Sequence, residues 1–152
     1  MSRPASSMVV RPASVKDWPA IERLLRSRDL PADGALSHLD GFLVADEDGA
    51  VVGCGGVEQY GDVGLLRSVA VEEALSGRGL GSQLVTGSLD LARRWGIREL
   101  YLLTTTAADY FPRFGFQGLP REALPAVLSA SEELGGACPA SAIAMRLVLL
   151  PR

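Results

Sequence analysis

Val63-Gly64-Leu65-Leu66-Arg67-Ser68-Val69-Ala70-Val71, then Ser76-Gly77-Arg78-Gly79-Leu80-Gly81 opening onto a run that ends at Trp95, decide how this chain folds. The first stretch is apolar at odd and even positions alike, as a strand covered on both faces must be, so it belongs in the middle of a sheet. Gly77, Gly79 and Gly81 carry no side chains, so backbone N–H groups there can wrap an anion where a helix begins. The helix dipole favours phosphate at that point, and Arg78 adds a cation. Leu80, Leu84, Leu91 and Trp95 fall within about 60° on a helical wheel, a stripe to be buried, and Gly96 ends the helix. The spacing is G-x-G-x-G rather than the G-x-G-x-x-G of a dinucleotide site. No Lys-Ser/Thr follows, as a nucleoside triphosphate loop would require.

Outward from this centre the chain alternates strands and helices. Met8–Arg11 reads as a first strand, and Ser14 or Asp17 caps a helix whose Trp18, Ile21, Leu24 and Leu25 share one face. Strands Gly41–Ala45 and Ala50–Gln59 flank the turn Asp46-Glu47-Asp48-Gly49, and Tyr60-Gly61-Asp62 turns into Val63. Downstream, Glu99–Thr105 reads as a strand and Ala107–Phe114 as a short helix stopped by Gly115. A helix from about Arg121 to Glu133 and a last strand Ala142–Leu150 follow. Hairpins followed by strand–helix–strand predict a mixed α/β (α+β) sheet, mostly antiparallel and flanked by helices. One domain over 8–152, after a short disordered start at 1–7, accounts for the chain.

The 152 residues are 47% hydrophobic and 22% charged, the balance of an ordered globular chain. Fifteen Lys+Arg against eighteen Asp+Glu give a net charge of −3 with no basic stripe, which argues against nucleic acid as partner. The longest apolar runs are too short to span a membrane, and polar Met1–Ser7 is too short for a signal sequence, so the expected location is the cytoplasm. His38 is the single histidine, which removes His-rich metal sites and leaves nothing in reserve for a nucleophilic triad, and no metal is expected. Cys54 and Cys138 have no CxxC spacing; they read as small buried hydrophobes unless they converge on a soft metal or arsenite.

Leu66–Val71 with Gly77-Arg78-Gly79-Leu80-Gly81 resembles motif A of the GNAT acetyltransferases. Tyr110-Phe111-Pro112-Arg113-Phe114-Gly115-Phe116, about thirty residues on, is similar to that family's second signature. A narrower likeness runs through Tyr60-Gly61-Asp62, Leu65–Ser68, Leu102–Thr106 and Cys138–Ala142. It is to the branch associated with bacterial arsenic-resistance genes, itself similar to amino-acid N-acetyltransferases. The resemblance implies a sheet splayed at an acetyl-CoA site, and direct transfer of acetyl to a small amine. The acceptor implied is an amino acid or an arsenic-containing analogue. It also implies that backbone groups of Val69, Ala70 and Val71 pair with the pantetheine arm. Residues Ser76, Gly77, Arg78, Gly79, Leu80, Gly81 and Ser82 would cradle pyrophosphate, and Thr104 would stand where relatives carry a CoA-contacting Asn. Two departures stand out: Ser76 replaces the Arg or Gln that usually starts the loop. Phe111 occupies the place of the tyrosine that protonates the departing thiolate, with Tyr110 one residue earlier.

Transfer requires a neutral amine, so a base is needed. Glu58, expected on the face of Val52 and Cys54, is the candidate; the competing accounts make it a solvent-facing charge at the strand's end or the ion-pair partner of Arg67. Arg67, which strict alternation places with Val63, Leu65, Val69 and Val71, is expected to hold an acceptor's acid group, with Thr105 assisting. Its competing account is that same structural pair. A peptide N-terminal acetyltransferase and a non-catalytic acyl-CoA or arsenic sensor are the alternative functions, and a homodimer is left open.

Overall fold

The structure is a computed structural model that describes residues 8–131 and 141–149. Among these residues seven strands form one sheet: β1 (Met8–Pro12), β2 (Phe42–Glu47), β3 (Ala50–Tyr60), β4 (Val63–Val71), β5 (Glu99–Thr104), β6 (Gln117–Leu119) and β7 (Ile143–Val148), in the order β1-β2-β3-β4-β5-β7-β6. The strand apolar on both faces is the central one. Leu65 packs with Tyr101 and Leu128 on one face, while Leu66 packs with Val85 and Leu89 on the other. All neighbours run antiparallel except β4 and β5. A sheet of this kind, mixed and mostly antiparallel, is the fold class read from the sequence.

Helix α1 (Trp18–Ser27) covers one face and α2 (Leu80–Arg94) the other. Arg11 clips the start of α1 to β1 through Asp17, at 2.8 Å, and the bond from that guanidinium holds the Asp17 carboxyl down at about 2. The buried face of α2 is Leu80, Leu84, Val85, Ser88, Leu89 and Ala92; Leu91 and Trp95 lie on its flank, half-buried.

Two expectations need correction, and one element is new. The helix placed over Arg121–Glu133 is two single 3-10 turns, Arg121–Ala123 and Ala126–Ala130, and its last two residues lie outside the described ones. Pro125 explains the break: it lacks an N–H, would clash with the carbonyl four residues back, and holds Leu124 extended at ψ 138°. The helix over Ala107–Phe114 shrinks to a 3-10 turn, Phe111–Phe114, with Pro112 at its start. β6 is an addition, three residues long and too short for any periodic signal.

The geometry that matters lies between the central strands. β4 and β5 pair only from Val63 to Leu65 against Glu99 to Tyr101, and beyond that the ladder stops. On its other edge β4 continues to pair with β3, but Cys54 to Gly56 opposes Ala70 to Arg67, so β4 carries an extra residue there. Ser68 marks it, with a left-handed φ of 60°. A β-bulge of this kind turns the strand and re-aims its side chains. Its effect is visible in the packing: Leu66 and Val69, three apart, both join the core under α2.

Candidate active site

The parted strands enclose a cavity of about 710 Å³, floored by β4 and β5 and closed at one end by the start of α2. At that end Gly79 caps the helix in a left-handed conformation, φ 78°, and Gly77 is left-handed too, φ 83°. Only glycine adopts these angles without strain. The first bond of the α2 ladder runs from Gln83 N to Gly79 O. The amides of Leu80, Gly81 and Ser82 therefore have no intrahelical acceptor, and all three residues line the cavity. Three outward amides at the positive end of a fifteen-residue helix make an anion cradle. Ser76, Gly77 and Gly79 line the same wall; Arg78 is exposed and stands outside the lining, so the cation expected there is not part of the wall.

Opposite the cradle stands Tyr110. Its hydroxyl lies 3.3 Å from where a Cβ on Gly81 would be, so the bare backbone of Gly81 makes room for it. The Tyr110 ring meets Phe111 and Phe114 edge-on, and the Arg113 guanidinium lies 4.3 Å over it. Burial pushes the Tyr110 hydroxyl above its usual pKa against the opposing pull of Arg113, so it stays a donor. Phe111 is buried, packs on Phe116, and still reaches the cavity wall. Thr104, Thr105 and Thr106 also line it; the Thr104 hydroxyl oxygen accepts from Ala107 N at 2.9 Å, which ends β5 in a tight turn.

The other end is built from side chains. Arg67 and Glu58, both with wholly buried side chains, form an ion pair at 2.7 Å. This is the structural pair that competed with a separate role for each. Arg67 also donates from Nε to Ser68 Oγ at 2.9 Å, and from Nη1 and Nη2 to the carbonyls of Asp33 and Pro31 at 2.7 and 3.1 Å. Glu58 accepts from Tyr60 at 2.5 Å and from Ser131, and His38 Nε2 stands 3.7 Å from it. Burial raises the Glu58 pKa, but the bonds from Tyr60, Arg67 and Ser131 outweigh it and hold the carboxyl below its usual value. Burial, and then the same contact, push Tyr60 up to about 12.

Two irregularities of register each change an expected face. Val69 and Val71 pack toward α2, opposite to Arg67, because the extra residue at Ser68 reverses the alternation. Val52 also packs toward α2, away from Cys54, because β3 carries its own register shift against β2. Ser68 is fixed twice, its hydroxyl by Arg67 and its carbonyl by the Cys54 thiol at 3.2 Å. Burial pushes that thiol up to about 12, so it is a donor and not a thiolate. Cys138 lies outside the described residues. No group of three or more His, Cys, Asp or Glu residues suited to a metal occurs among the described ones.

Tyr60 sits two residues from Glu58 on one strand, hence on the same face, and that spacing is a signal the sequence offers. Ser131, Pro31 and Asp33 give none, since they reach the network from distant turns.

A family model for the acetyltransferase (GNAT) family matches residues 10–116. The chain belongs to that family. As a member it is an acetyl-CoA-dependent acyltransferase. An amino-acid acetyltransferase from Mycobacterium tuberculosis is 32% identical over 139 residues, 83% of this chain and 76% of that one. One from Aeromonas salmonicida is 30% identical over 131 residues, 79% of this chain but 29% of its own length, so the chain spans under a third of that longer relative. Among solved structures, a Mycobacterium tuberculosis protein in complex with CoA superimposes with a TM-score of 0.79 at 28% identity, covering 93% of this chain and 99% of that one. The N-acetylglutamate synthase of Neisseria gonorrhoeae shares the fold, TM-score 0.81 at 23% identity, over 97% of this chain and 36% of that one. Among the described residues no helix is long and apolar enough to cross a membrane.

Proposed function

We propose that this acetyltransferase moves acetyl from acetyl-CoA to the amine of a small acid-bearing acceptor of the amino-acid class. The observation that carries the reading is the combination at the parted strands: an unpaired stretch of β4, a bulge at Ser68 and three orphan amides at α2, all on one cavity. The donor's pyrophosphate suits the amides of residues 80–82, with Gly77 and Gly79 giving the loop its path. Its pantetheine amides suit the free edge of β4 at Val69 and Val71, like an added strand. Relatives named amino-acid acetyltransferase, among them the one from Mycobacterium tuberculosis, support the acceptor class, and the likeness of Leu102–Thr106 to the arsenic-associated branch makes an arsenic-containing amino-acid analogue its narrower form.

In direct transfer the acceptor must lose a proton before its lone pair can attack. Glu58 is a poor base, being ionised, buried and bonded by Tyr60, Arg67 and Ser131. We read it as the anchor that fixes Arg67, and through Arg67 both the bulge and the carbonyls of Pro31 and Asp33. The amine's proton then leaves to water at the cavity mouth, where Thr105 and Thr106 are exposed. Tyr110 stands at the cradle, so its hydroxyl, kept protonated by its raised pKa, suits a hydrogen bond to the donor's phosphate end; the sulfur, a pantetheine arm away, leaves as the thiolate.

The test is turnover of acetyl-CoA across free amino acids, short peptides and arsenical amino acids. Turnover confined to free amino acids or their arsenic analogues supports the reading. Preference for peptides overturns it in favour of an N-terminal acetyltransferase. CoA binding without turnover of any amine favours a sensor.

A further inference from the structure

Resting on that acceptor class, we propose that Arg28 receives the acceptor's acid group, and that Glu73 holds Arg28 in place until the acceptor arrives. Arg67, the cation expected for this task, has no exposed side-chain surface and four hydrogen bonds to protein. An acceptor carboxylate could reach it only by breaking the pair with Glu58. Two other arginines line the cavity. Arg113 is held by Tyr110, through its ring and its carbonyl, at 4.3 and 2.8 Å, and Tyr110 stands against Gly81 at the cradle. It belongs to the donor's end.

Arg28 follows directly after α1 and opens the segment Asp29-Leu30-Pro31 that forms the opposite wall. The backbone of that wall is rigid, since Arg67 grips the carbonyls of Pro31 and Asp33. The side chain is not: it is 39% exposed, and its partner Glu73, at 3.5 Å, is 92% exposed. That distance is longer than a good charge-assisted hydrogen bond, and exposed pairs of this kind are weak. An incoming carboxylate or tetrahedral acid can offer the guanidinium fork two oxygens in place of one distant one. Asp29, exposed on the same wall, puts a negative group beside the positive one. That juxtaposition suits a zwitterionic amino acid better than a plain amine or a diacid. Glu73 lies between β4 and the glycine loop, so release of Arg28 occurs beside the donor's binding segment.

The two partners make opposite predictions, which a surface bridge would not. Steady-state kinetics would compare glycine and L-glutamate with glycinamide and propylamine, for the parent, Arg28→Gln and Glu73→Gln, with CoA affinity measured by calorimetry. Arg28→Gln should raise the KM of carboxylate-bearing acceptors about tenfold, spare the amide and the plain amine, and leave the Kd of CoA unchanged. Glu73→Gln should lower that KM about two- to threefold, because it removes the competing carboxylate. The proposal is overturned if both variants leave KM unmoved, if both shift it in one direction, or if Arg28→Gln weakens CoA as much as the acceptor. If only amines without an acid group are acetylated, the acceptor class itself is wrong and this assignment falls with it. If acid-bearing amines react and the variants behave as the parent, this assignment alone fails.

Discussion

At one end of the cavity the wall is made by backbone amides of residues 80–82, placed by two left-handed glycines; at the other it is the buried side chain of Arg67, backed from behind the wall by buried Glu58 and half-buried Tyr60 and tied to two distant turns. The first arrangement is local, so it tolerates change in most neighbouring side chains and depends on φ angles. The second is long-range and charged, so each member relies on the rest. A fixed ligand group, such as a pyrophosphate, can be met by geometry alone. A variable ligand requires a shaped wall, and the wall at this end is held by a guanidinium bonded to carbonyls more than thirty residues away in sequence.

The contrast is sharpest in stability. Glu58→Gln leaves the Arg67 charge buried without its counter-charge, which for buried pairs costs about 3–5 kcal/mol. For a chain of this size that corresponds to a melting temperature lower by roughly 10 °C or more. A thermal melt checks it; a drop of only a degree or two would mean the network is no anchor. Replacing Glu58 and Arg67 together with apolar residues should recover part of the loss, because no unpaired charge remains.

At the cradle the order of effects reverses. Gly79→Val forces a β-branched residue to a left-handed φ of 78°, so CoA affinity should fall about tenfold or more while the core is untouched. Gly61 offers a control, since it has a φ of 67° in the hairpin away from the cavity. Gly61→Val should cost comparable stability and leave CoA binding as it was. Equal CoA affinity in both variants would place the phosphate site elsewhere.

Tyr110→Phe removes one hydroxyl at the cradle end and no packing. It should raise the KM for acetyl-CoA about two- to tenfold, the loss of one hydrogen bond, with kcat and melting temperature little changed. An unchanged KM for acetyl-CoA would assign the hydroxyl to packing.

The smallest effect is that of pH. The carboxyl of Glu58 is held below its ordinary value in the fold, so its contribution is present above about 4.5 and is lost as pH falls through the lower folded value. Asp17, held down at about 2, loses a contribution of its own as pH falls below its ordinary 3.8. Acidification should therefore loosen the bonded amides of Asp29 and Leu30, on the wall that Arg67 holds, before those of residues 83–87 in the first bonded turn of α2, which hydrogen exchange can resolve. Loss of protection at both segments together would erase the distinction between the two ends.

These differences explain what the sequence discloses. Glycines at fixed spacing before an amphipathic helix announce a cradle because the φ requirement and the residue type are the same fact. The central position of β4 is equally open, since two buried faces demand apolar residues at every step. The acceptor end is harder. Arg67 and Glu58 are visible as buried-strand charges, but the bulge at Ser68 has no glycine to mark it, so strict alternation puts Val69 on the wrong face. Pro31 and Asp33 act through carbonyls, which every residue has. Over residues 121–131 the apolar residues suggest a helix that Pro125 forbids, so only two 3-10 turns form.

The parting of β4 from β5 also gives the sheet an edge in its own middle. Edge strands offer unpaired N–H and C=O groups to any passing chain, and sheets blunt them with bulges, charges or covers. Here the bulge at Ser68 twists the exposed stretch, and the walls of the cavity hem it in. A ligand whose amides run along that stretch acts as the missing strand. Scarcity of the donor would thus leave the protein not only idle but in its stickiest form, and solubility under load should follow the supply of CoA.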